Sequence, residues 1–420
     1  MSPDLYAVIA THAVFLITGY LIASNAGKWV GISWLATFGY FMHIFVGLLL
    51  WNNYSRVNIG DARAFVTYAG NFTGFTKEYV VLKKVEGKQG WPDLLIFLFK
   101  QLGYVPEIAI YINALAIALA ACVIHLVCKN LNILTEKPVA SIFVLFAPAS
   151  IYWGSLPGRE PICWLLISLM SYSASRLIYK VEVFPIVIMA IATIAMFPIR
   201  GSIAFGLFGM FIASIGLASQ SSHQSTIVKR GVALVIVAAT IPLAIDRGTQ
   251  QFTGGQTIES VKASLTDANS SFISAEEAAN SSTMSFQTLK IMPKVALGPL
   301  PWEWQPSLFL GIIDAIFWAM VFIFCYLGLR RTKRYELMKL YLLPYSIAVF
   351  TMSATLANYG IVMRMRGMMI PIIAPIFALA FVNTQLTNIL KPIKTENLFR
   401  SNKAISGPNN SEPANEPALP

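Results

Sequence analysis

The feature that most constrains this chain is a series of about eleven apolar runs, each close to the roughly 20 residues that a helix needs to cross a bilayer. The runs lie near residues 5–24, 29–50, 106–128, 139–156, 161–179, 183–199, 201–219, 231–246, 307–329, 340–357 and 367–386. Only 12% of the residues are charged, whereas soluble domains carry about 25%. The sequence therefore predicts an all-α fold, a polytopic membrane helical bundle with about eleven transmembrane helices.

The basic residues indicate how such a bundle is oriented, because cytoplasmic loops of membrane proteins are rich in Lys and Arg. Alternate short loops contain Lys28, Lys129, Lys137, Arg176, Lys180, Lys229, Arg230, the stretch "RRTKR" from Arg330, Lys339, and Lys391, Lys394, Arg400 and Lys403. Assigning these loops to the cytoplasm puts the N-terminus outside and the C-terminus inside. Residues 1–390 are then the transmembrane domain, and 391–420 are predicted to be a disordered cytoplasmic tail. The first run lacks a basic segment before it, so we expect a retained helix rather than a signal peptide.

The same composition argues against several other classes of protein. The net charge of +11 comes from short basic clusters, and no nucleic-acid-binding motif accompanies it, so we expect no nucleic-acid partner. The cysteines lie inside apolar runs without CxxC spacing and are expected to be small buried residues. They are Cys122, Cys128, Cys163 and Cys325. No HExxH, DxD or phosphate-binding glycine loop occurs, so no metal site or cofactor is predicted, while a divalent metal stays an open alternative.

Two long segments lie on the outer face in this topology, 51–105 and 247–306. Tight outer turns are expected near 157–160, 199–201 and 358–366. Within the first long segment, "WPDLLIFLFKQLGY" (Trp91 to Tyr104) is apolar with charges at its edges and is too short to span. It is predicted to be an interfacial helix that lies on the bilayer. The alternative is a simple connection into the third apolar run.

Arginines recur in these outer segments, where short loops are usually poor in basic residues. They are Arg63, Arg159, Arg200, Arg247, Arg364 and Arg366. A cation at the hydrocarbon boundary is costly unless it is paired or hydrated. Arginine binds phosphate through two parallel N–H bonds and keeps its proton. The recurrence predicts a polar cavity, open to the outer side, that holds a phosphate or pyrophosphate. For any single arginine, snorkelling or pairing with a neighbouring carboxylate is the alternative.

Arg364 and Arg366 are only two residues apart, in "NYGIVMRMRGMM". On a helix their side chains would diverge by about 200°, whereas in an extended segment they would point the same way. Gly360 and Gly367 flank the pair, and Pro371 follows within the next apolar run. We therefore expect a broken or non-helical segment here, with both side chains able to face the cavity. Such backbone at membrane depth must line water or be buried in protein.

Three carboxylates are candidate catalytic residues. Asp61 follows the second run by about ten residues, and a carboxylate beside a bound phosphate can act as general base on a sugar hydroxyl. A helix N-cap or turn role is its structural alternative. Glu160 and Glu303 are further candidate acids or bases, and Glu160 has the alternative of pairing with Arg159.

Two tryptophans near the end of the second long segment are candidate sugar-binding residues. Trp302 and Trp304 lie in "GPLPWEWQPS", and aromatic faces beside polar groups suit sugar rings. Tryptophan at a membrane edge is also a common interfacial anchor, which is the alternative for both residues.

Together these segments resemble a family. An Asp soon after the second run, "GRE" after "YWGS", an arginine after "FPI", "GPLPWEW", and "NYG" followed by "RMRG" and a proline carry the resemblance. The chain is similar to O-antigen and exopolysaccharide polymerase-like proteins of bacteria and, more distantly, to GT-C glycosyltransferases that use polyprenyl-phosphate donors. The resemblance covers roughly residues 50–385 and is carried by no single diagnostic motif.

The resemblance implies a GT-C-like fold with two large outer loops, lipid-linked sugar substrates, inverting transfer and a periplasmic site in the bacterial inner membrane. The site would be metal-independent or weakly metal-assisted. Asp61 resembles the loop carboxylate of GT-C enzymes, and Arg200, Arg364 and Arg366 resemble the arginines expected to bind pyrophosphate. GT-C enzymes often show an acidic pair where Ala62 and Arg63 follow Asp61 here, and related proteins often have a lysine where Arg159 stands.

We therefore expect an integral-membrane glycosyltransferase or polysaccharide polymerase acting on polyprenyl-phosphate- or polyprenyl-pyrophosphate-linked glycans. Its partners would be membrane lipids and other polysaccharide-assembly proteins. The alternative is a flippase for the same lipids, although no matching internal repeat is evident. His12, His43 and His125 lie in apolar runs and would be packing residues or proton relays. A membrane acyltransferase ranks last, because none of the histidines has an acid at the spacing of that class.

Overall fold

The computed structural model describes residues 3–53, 61–77, 89–133, 135–218, 286–305, 308–355 and 359–382, with single residues at 231 and 235. Throughout these ranges the regular secondary structure is helical, which confirms the predicted all-α class for the described residues. The described helices belong to one compact unit that ends at Val382. The predicted tail 391–420 and Arg247 lie outside the described residues.

The helices are numbered in chain order. They are α1 (Pro3–Val30), α2 (Ser33–Asn52), α3 (Asp61–Phe72), α4 (Gly90–Leu102), α5 (Glu107–Asn130), α6 (Val139–Phe146), α7 (Pro148–Ser155), α8 (Glu160–Leu177), α9 (Val183–Ala218), α10 (Phe286–Leu297), α11 (Phe309–Thr332), α12 (Leu343–Thr355), α13 (Tyr359–Gly367) and α14 (Ile370–Ala378). Shorter elements are the 3-10 turns Pro301–Glu303 and Leu379–Phe381, the single turn Tyr335–Leu337 and the π-helical segment Met338–Leu342.

Five of the described helical segments are long and apolar enough to cross a membrane. They are Tyr6–Val30, Ser33–Asn52, Glu107–Asn130, Val183–Gly201 and Phe309–Thr332. A sixth candidate is a bent pair, Tyr359–Gly367 with Ile370–Phe381, whose two helices meet at 60°. These segments coincide with six of the predicted runs. The several apolar helices indicate a membrane-spanning protein.

The remaining predicted runs form shorter or interrupted helices. The run at 139–156 is split into α6 and α7, because Pro148 follows Ala147 and a residue before proline is pushed out of the helical region. In α9 the backbone leaves helical geometry at Arg200 (φ −152°, ψ 67°), two residues after Pro198. The run at 340–357 begins as the π-helical segment and continues as α12. Most of the run at 231–246 lies outside the described residues.

Helix α5 lies in the centre of the bundle and α1 at its edge. Inside the protein, 67% of the most apolar part of α5 is buried, against 17% for α1. Alanines of α5 and serines of α8, such as Ala121, Ser168 and Ser171, are buried. Small side chains of this kind let helices in a membrane pack closely. All four cysteines are buried and free, as predicted.

The two ends of α5 contact different kinds of group. At its C-terminal end, Lys129 donates to the carbonyl of Val30, and Arg334 donates to the carbonyl of Leu131. These lysine and arginine side chains define what we call the basic end of the bundle. Near the other end of α5, Asn113 lies about 24 Å away along the helix. It contacts the turn between α7 and α8, where the candidate site begins.

Candidate functional site

The turn between α7 and α8, residues 156–159, is held by buried side chains from α4 and α5. Asn113 donates to the carbonyls of Leu156 (2.6 Å) and Gly158 (2.8 Å). Trp91 donates through its indole N–H to the carbonyl of Pro157 at 3.1 Å. Both donors are 0% exposed. Since buried carbonyls need partners, these bonds fix the turn that presents the next two residues.

A buried histidine fixes the residue before this turn. His43 lies with Nε2 3.0 Å from the carbonyl oxygen of Leu145 and Nδ1 2.8 Å from the hydroxyl of Ser155. A carbonyl can only accept, so Nε2 carries the proton, and the Ser155 hydroxyl donates to Nδ1. This arrangement favours the packing role for His43 over a proton relay, because both ring nitrogens are engaged within the protein.

Glu160 is the first residue of α8 and is surrounded by guanidinium groups. Its Oε1 lies 2.7 Å from Nε of Arg364, 3.1 Å from Nη2 of Arg200 and 4.0 Å from Nε of Arg159. The Glu160 side chain is 1% exposed. The N-terminus of α8 adds a partial positive charge. Three cations and a helix end thus stabilise one buried carboxylate.

Arg364 also pairs with Asp61, through Nη1 and Oδ2 at 2.7 Å. Asp61 is the first residue of α3, and its side chain is 58% exposed, whereas that of Arg364 is 12% exposed. One guanidinium therefore joins an interior carboxylate to a surface carboxylate. We call Arg159, Arg200, Arg364, Glu160 and Asp61 together the arginine cluster.

Aromatic rings complete the surroundings of the arginine cluster. The guanidinium carbon of Arg159 lies 5.4 Å from the ring centroid of Phe65, and that of Arg364 lies 5.5 Å from the ring of Trp153. Cations are attracted to the faces of such rings. The rings stabilise guanidinium groups without supplying negative charge.

The arginine cluster carries more positive than negative charge. Three guanidinium groups face two carboxylates, which leaves an excess of one positive charge in a largely buried place. Nε of Arg159 and Nε of Arg200 are buried and have no hydrogen-bond partner within the described part of the chain. Buried N–H groups without a hydrogen-bond partner are costly, and so is excess charge in a buried place. Such an arrangement is chemically suited to an added anion.

Glycine at position 158 leaves room for the carboxylate of Glu160 in this arrangement. A Cβ built on Gly158 would lie 2.5 Å from Oε2 of Glu160, which is far inside van der Waals contact. The absent side chain lets the carboxylate of Glu160 fold back beneath the turn and meet Arg364. The close approach therefore explains why a glycine stands two residues before Glu160 in "GRE".

Arg366 lies elsewhere, because residues 359–367 are helical. The expected break is present, since the chain bends by 60° here, but the arginines themselves lie on a helix, so the expectation that both side chains face one cavity is wrong. The bend of the chain comes after the arginines, between Gly367 and Ile370. On a helix, two residues apart means about 200° of rotation, so Arg366 points away from the direction of Arg364.

Arg366 is fully buried in a charge-balanced group of contacts, although its Nε and Oδ1 of Asp314 have no hydrogen-bond partner among the described residues. It forms an ion pair with Asp314 of α11 and donates to the carbonyls of Ala296 (3.0 Å) and Gly298 (3.1 Å). Its guanidinium also lies 5.8 Å from the ring of Trp318. We call this group the Arg366–Asp314 site. It fastens the end of α10 to α11 and α13.

Glu303 is held by a third set of partners. It forms an ion pair with Lys294 at 2.8 Å and accepts hydrogen bonds from the Tyr359 hydroxyl and from the backbone N–H of Leu300. Burial raises the pKa of Glu303, but these donors outweigh it, so its pKa lies below the usual range. These contacts tie the segment before α11 to the beginning of α13.

Trp302 and Trp304 lie outside the arginine cluster. Trp304 is 44% exposed and donates its indole N–H to the carbonyl of Pro299 at 3.0 Å, and Trp302 is 78% exposed. Arg63 is half-buried on α3, two residues after Asp61. In the described ranges, no group of three or more His, Cys, Asp or Glu side chains is placed to hold a metal ion.

The structure adds three residues that the sequence analysis did not select: Asn113, Trp91 and Gly158. Asn113 is a lone amide in the apolar stretch "IAIYINALAIALA" of α5, and that contrast is the signal that could have identified it. Trp91 was expected only as part of an interfacial helix. The helix is present as α4, 13 residues long, and its Trp91 faces inward.

Comparison with known proteins adds no family to this geometry. No protein-family model matches the chain, and no curated protein matches it.

Proposed function

We propose that this chain is an integral-membrane glycosyltransferase, of the polysaccharide polymerase type, that acts on sugars linked to polyprenyl phosphate or pyrophosphate. The observation that supports this proposal is the convergence of Arg159, Arg200 and Arg364 on one buried carboxylate, with positive charge in excess. Arginines from three separate segments of the chain meet there. A bidentate guanidinium–phosphate contact is the interaction for which such groups are suited.

The proposed reaction is a displacement at the anomeric carbon of the lipid-linked sugar. Asp61 takes the proton from a hydroxyl of the acceptor sugar, and the hydroxyl oxygen forms the new bond to the anomeric carbon. The bond from that carbon to the phosphate oxygen breaks, and its electron pair leaves with the phosphate. The guanidinium groups stabilise the charge that develops on the leaving group. The reaction as written inverts the anomeric centre and uses no cofactor.

Glu160 has an electrostatic role in this proposal rather than an acid–base one. Its Oε1 is already engaged by Arg364 and Arg200, so it holds these side chains in position. Arg366 and Glu303 are assigned to the framework around the site because their partners are internal. Trp302 is left as an exposed side chain that a glycan or the membrane interface could contact.

The proposed topology has about eleven spans in a GT-C-like arrangement, with the two long segments 51–105 and 247–306 on the periplasmic side of a bacterial inner membrane. In this topology the basic end, with Lys129 and Arg334, faces the cytoplasm. The arginine cluster, near the other end of α5, then faces the periplasm. This is the side on which the proposed lipid-linked glycans are assembled, and on which other polysaccharide-assembly proteins would meet the chain.

A flippase for the same lipids is the second candidate, and one observation favours it. The bent pair of α13 and α14 meets at 60°, and interrupted helices beside a binding site are frequent in transporters. A cluster of arginines would bind the lipid phosphate in either case. The two functions differ in whether the sugar–phosphate bond is broken.

Deleting the gene and separating surface polysaccharide by gel electrophoresis distinguishes these functions. A polymerase predicts loss of the long ladder while single capped units remain. A flippase predicts loss of all surface material, with lipid-linked precursor retained on the cytoplasmic side. An unchanged ladder in the deletion strain would contradict both proposals.

Point variants expressed in the deletion strain then test the site. Arg364→Ala should fail to restore the ladder, and Asp61→Asn should lower the amount of long chains by roughly 10²–10⁴-fold if Asp61 is the general base. Asp93→Asn is the matched control, because Asp93 is an exposed carboxylate in the first turn of α4. A full ladder from Asp61→Asn would remove Asp61 from the mechanism.

A further inference from the structure

Asp61 occupies the side of Arg364 that an incoming phosphate would need. Arg364 uses Nε for Glu160 and Nη1 for Asp61, each at 2.7 Å. A phosphate binds a guanidinium best through two parallel N–H bonds. Because Glu160 takes Nε, the edge formed by Nη1 and Nη2 is left, and Asp61 already accepts a bond from Nη1.

The two carboxylates on Arg364 differ in how firmly they are placed. Glu160 is 1% exposed and has Arg200 as a second partner, so its removal from the guanidinium would leave a buried charge. Asp61 is 58% exposed. The Asp61 carboxylate already faces solvent, so water can replace the guanidinium as its partner, whereas the buried Arg364 needs another anion in its place. Asp61 is therefore the partner that an added anion displaces.

We propose that Asp61 stands in for a phosphate oxygen on Arg364 in the empty protein, and that the phosphate of the lipid-linked substrate displaces it. This inference rests on the proposed function and assigns a sequence of events to the same site. The displaced carboxylate stays near the phosphate, because α3 holds its backbone, and the N-terminus of α3 favours a negative charge there. The general base thus becomes free when the leaving group is bound.

The proton and charge balance of this exchange is simple. Arg364 loses one anionic partner and gains another, so the buried guanidinium is never without a counter-charge. The freed Asp61 then takes a proton from the acceptor hydroxyl, and the phosphate leaves with the electron pair of the broken bond. Without a bound phosphate, Asp61 stays paired and is not free to activate water or a hydroxyl.

Binding measurements on the full chain in detergent micelles at low ionic strength test the displacement. The probes are inorganic pyrophosphate and farnesyl pyrophosphate, followed by isothermal titration calorimetry. Asp61→Asn should bind pyrophosphate about two- to fivefold more tightly than the unchanged chain, because the competing ion pair is lost. A residue that only binds substrate, or only supports the fold, predicts the opposite change.

A second substitution shows whether the gain passes through Arg364. In an Arg364→Lys background, which keeps the positive charge, Asp61→Asn should give no gain or a smaller one, because lysine has no second N–H edge to release. Asp93→Asn removes a carboxylate from the first turn of α4 and should leave binding unchanged. An equal gain from Asp93→Asn would show a general charge effect and overturn the displacement.

The two probes separate the source of the phosphate. Equal gains with both probes identify the phosphate group as what displaces Asp61, and a gain with farnesyl pyrophosphate alone shows that displacement needs a lipid-linked headgroup. Weaker or unchanged binding of both probes to Asp61→Asn would overturn the displacement. The proposed function would survive that result if Arg364→Lys still lowers the affinity. If neither probe binds any variant, the proposed function and the displacement fail together.

Discussion

Helix α13 has two faces that hold arginine in opposite ways. Tyr359 and Arg366 are seven residues apart and share one face. On this face Tyr359 donates a hydrogen bond to Glu303, and Arg366 pairs with Asp314. Arg364 lies on the other face and enters the arginine cluster. On the first face one cation meets one carboxylate and carbonyl oxygens, and Arg366 is 0% exposed. On the second, three cations share two carboxylates, and one of these is exposed.

The difference indicates which buried arginines serve structure and which are available for binding. A charge-balanced buried ion pair offers a further anion no excess positive charge, and removing one partner leaves an unpaired buried charge. A cluster with excess positive charge and an exposed carboxylate can accept an anion with little rearrangement. Charge balance separates the two roles here, although both arginines come from one three-residue stretch of sequence.

The largest expected effect is on the Arg366–Asp314 site. Arg366→Met leaves Asp314 buried and unpaired and should destabilise the protein by about 3–5 kcal/mol. The measurement is thermal unfolding of the purified protein in detergent, together with the yield of folded protein. Adding pyrophosphate should not restore the stability, because the group left unpaired is itself an anion.

The double substitution Arg366→Met with Asp314→Leu is the control for this prediction. It replaces the ion pair by apolar side chains of similar volume, which is often neutral or stabilising. Stability should return towards that of the unchanged chain. If the double variant is as unstable as the single one, the loss arises from the carbonyl contacts to residues 296 and 298 and not from the unpaired charge.

Glu160→Gln should have the next largest effect, because it removes the buried carboxylate of the arginine cluster. We expect a loss of about 3 kcal/mol, at the lower end for a broken buried pair, since Asp61 still pairs with Arg364. Added pyrophosphate should restore part of the melting temperature, because the anion replaces the missing charge. Thermal unfolding with and without pyrophosphate measures this rescue.

Asp314→Asn provides the comparison for the rescue. It removes the buried carboxylate that pairs with Arg366, as Glu160→Gln removes the one in the arginine cluster. The Arg366–Asp314 site differs in having one cation and one carboxylate. We expect similar destabilisation and no response to pyrophosphate. Equal rescue of both variants would mean that the anion acts nonspecifically, and equal absence of rescue would remove the distinction between the two faces of α13.

Gly158→Ala should act mainly on activity. The added Cβ would lie 2.5 Å from Oε2 of Glu160, so the carboxylate has to move, at a cost of about 1–3 kcal/mol. A displacement of about 1 Å near reacting groups can cost about 10²-fold in rate. The polysaccharide ladder and thermal unfolding are the measurements.

A compensating change tests the cause of that loss. Gly158→Ala combined with Glu160→Asp shortens the acid by one methylene and makes room for the Cβ. Partial recovery of stability is expected from the double variant relative to Gly158→Ala. No recovery would indicate that the turn itself, held by Asn113 and Trp91, fails to form with alanine.

Sequence patterns were sufficient for the all-helical class and for the idea that distant arginines meet. Arg159, Arg200 and Arg364 come from three separate segments of the chain and do converge. Gly360, Gly367 and Pro371 predict a break near Arg364 and Arg366, and the break is present, but it does not bring the two side chains together. Pro371 instead lies in the first turn of α14, where proline is tolerated, so the break follows the arginines.

Other parts of the site depend on contacts that no local pattern contains. The burial of Glu160 follows from α4, α5 and α13 closing over one turn, and it required the absence of a side chain at Gly158. Asn113 donates hydrogen bonds to the carbonyls of residues that lie 43 and 45 positions away in the sequence. Such long-range hydrogen bonds are set by packing, and a single sequence gives no periodicity from which to infer them.

The smallest expected effect concerns the closed face of α13 and its dependence on pH. The pKa of Glu303 is depressed in the folded protein by Lys294, Tyr359 and the N–H of Leu300, despite burial that raises it. A depressed pKa contributes stability that is fully present above the usual glutamate value of about 4.3 and is lost as pH falls through the folded-state value.

Glu303→Gln should therefore reduce the loss of stability on acidification, by about 1 kcal/mol or less. Tyr359→Phe removes one donor and makes the folded-state pKa of Glu303 less depressed, so the loss of stability should be smaller and should be complete at a higher pH than in the unchanged chain. Unfolding measured at a series of pH values below neutrality tests both variants. If acidification weakens Glu303→Gln and the unchanged chain equally, Glu303 contributes nothing to the pH dependence, and the closed face is held by the Arg366–Asp314 site alone.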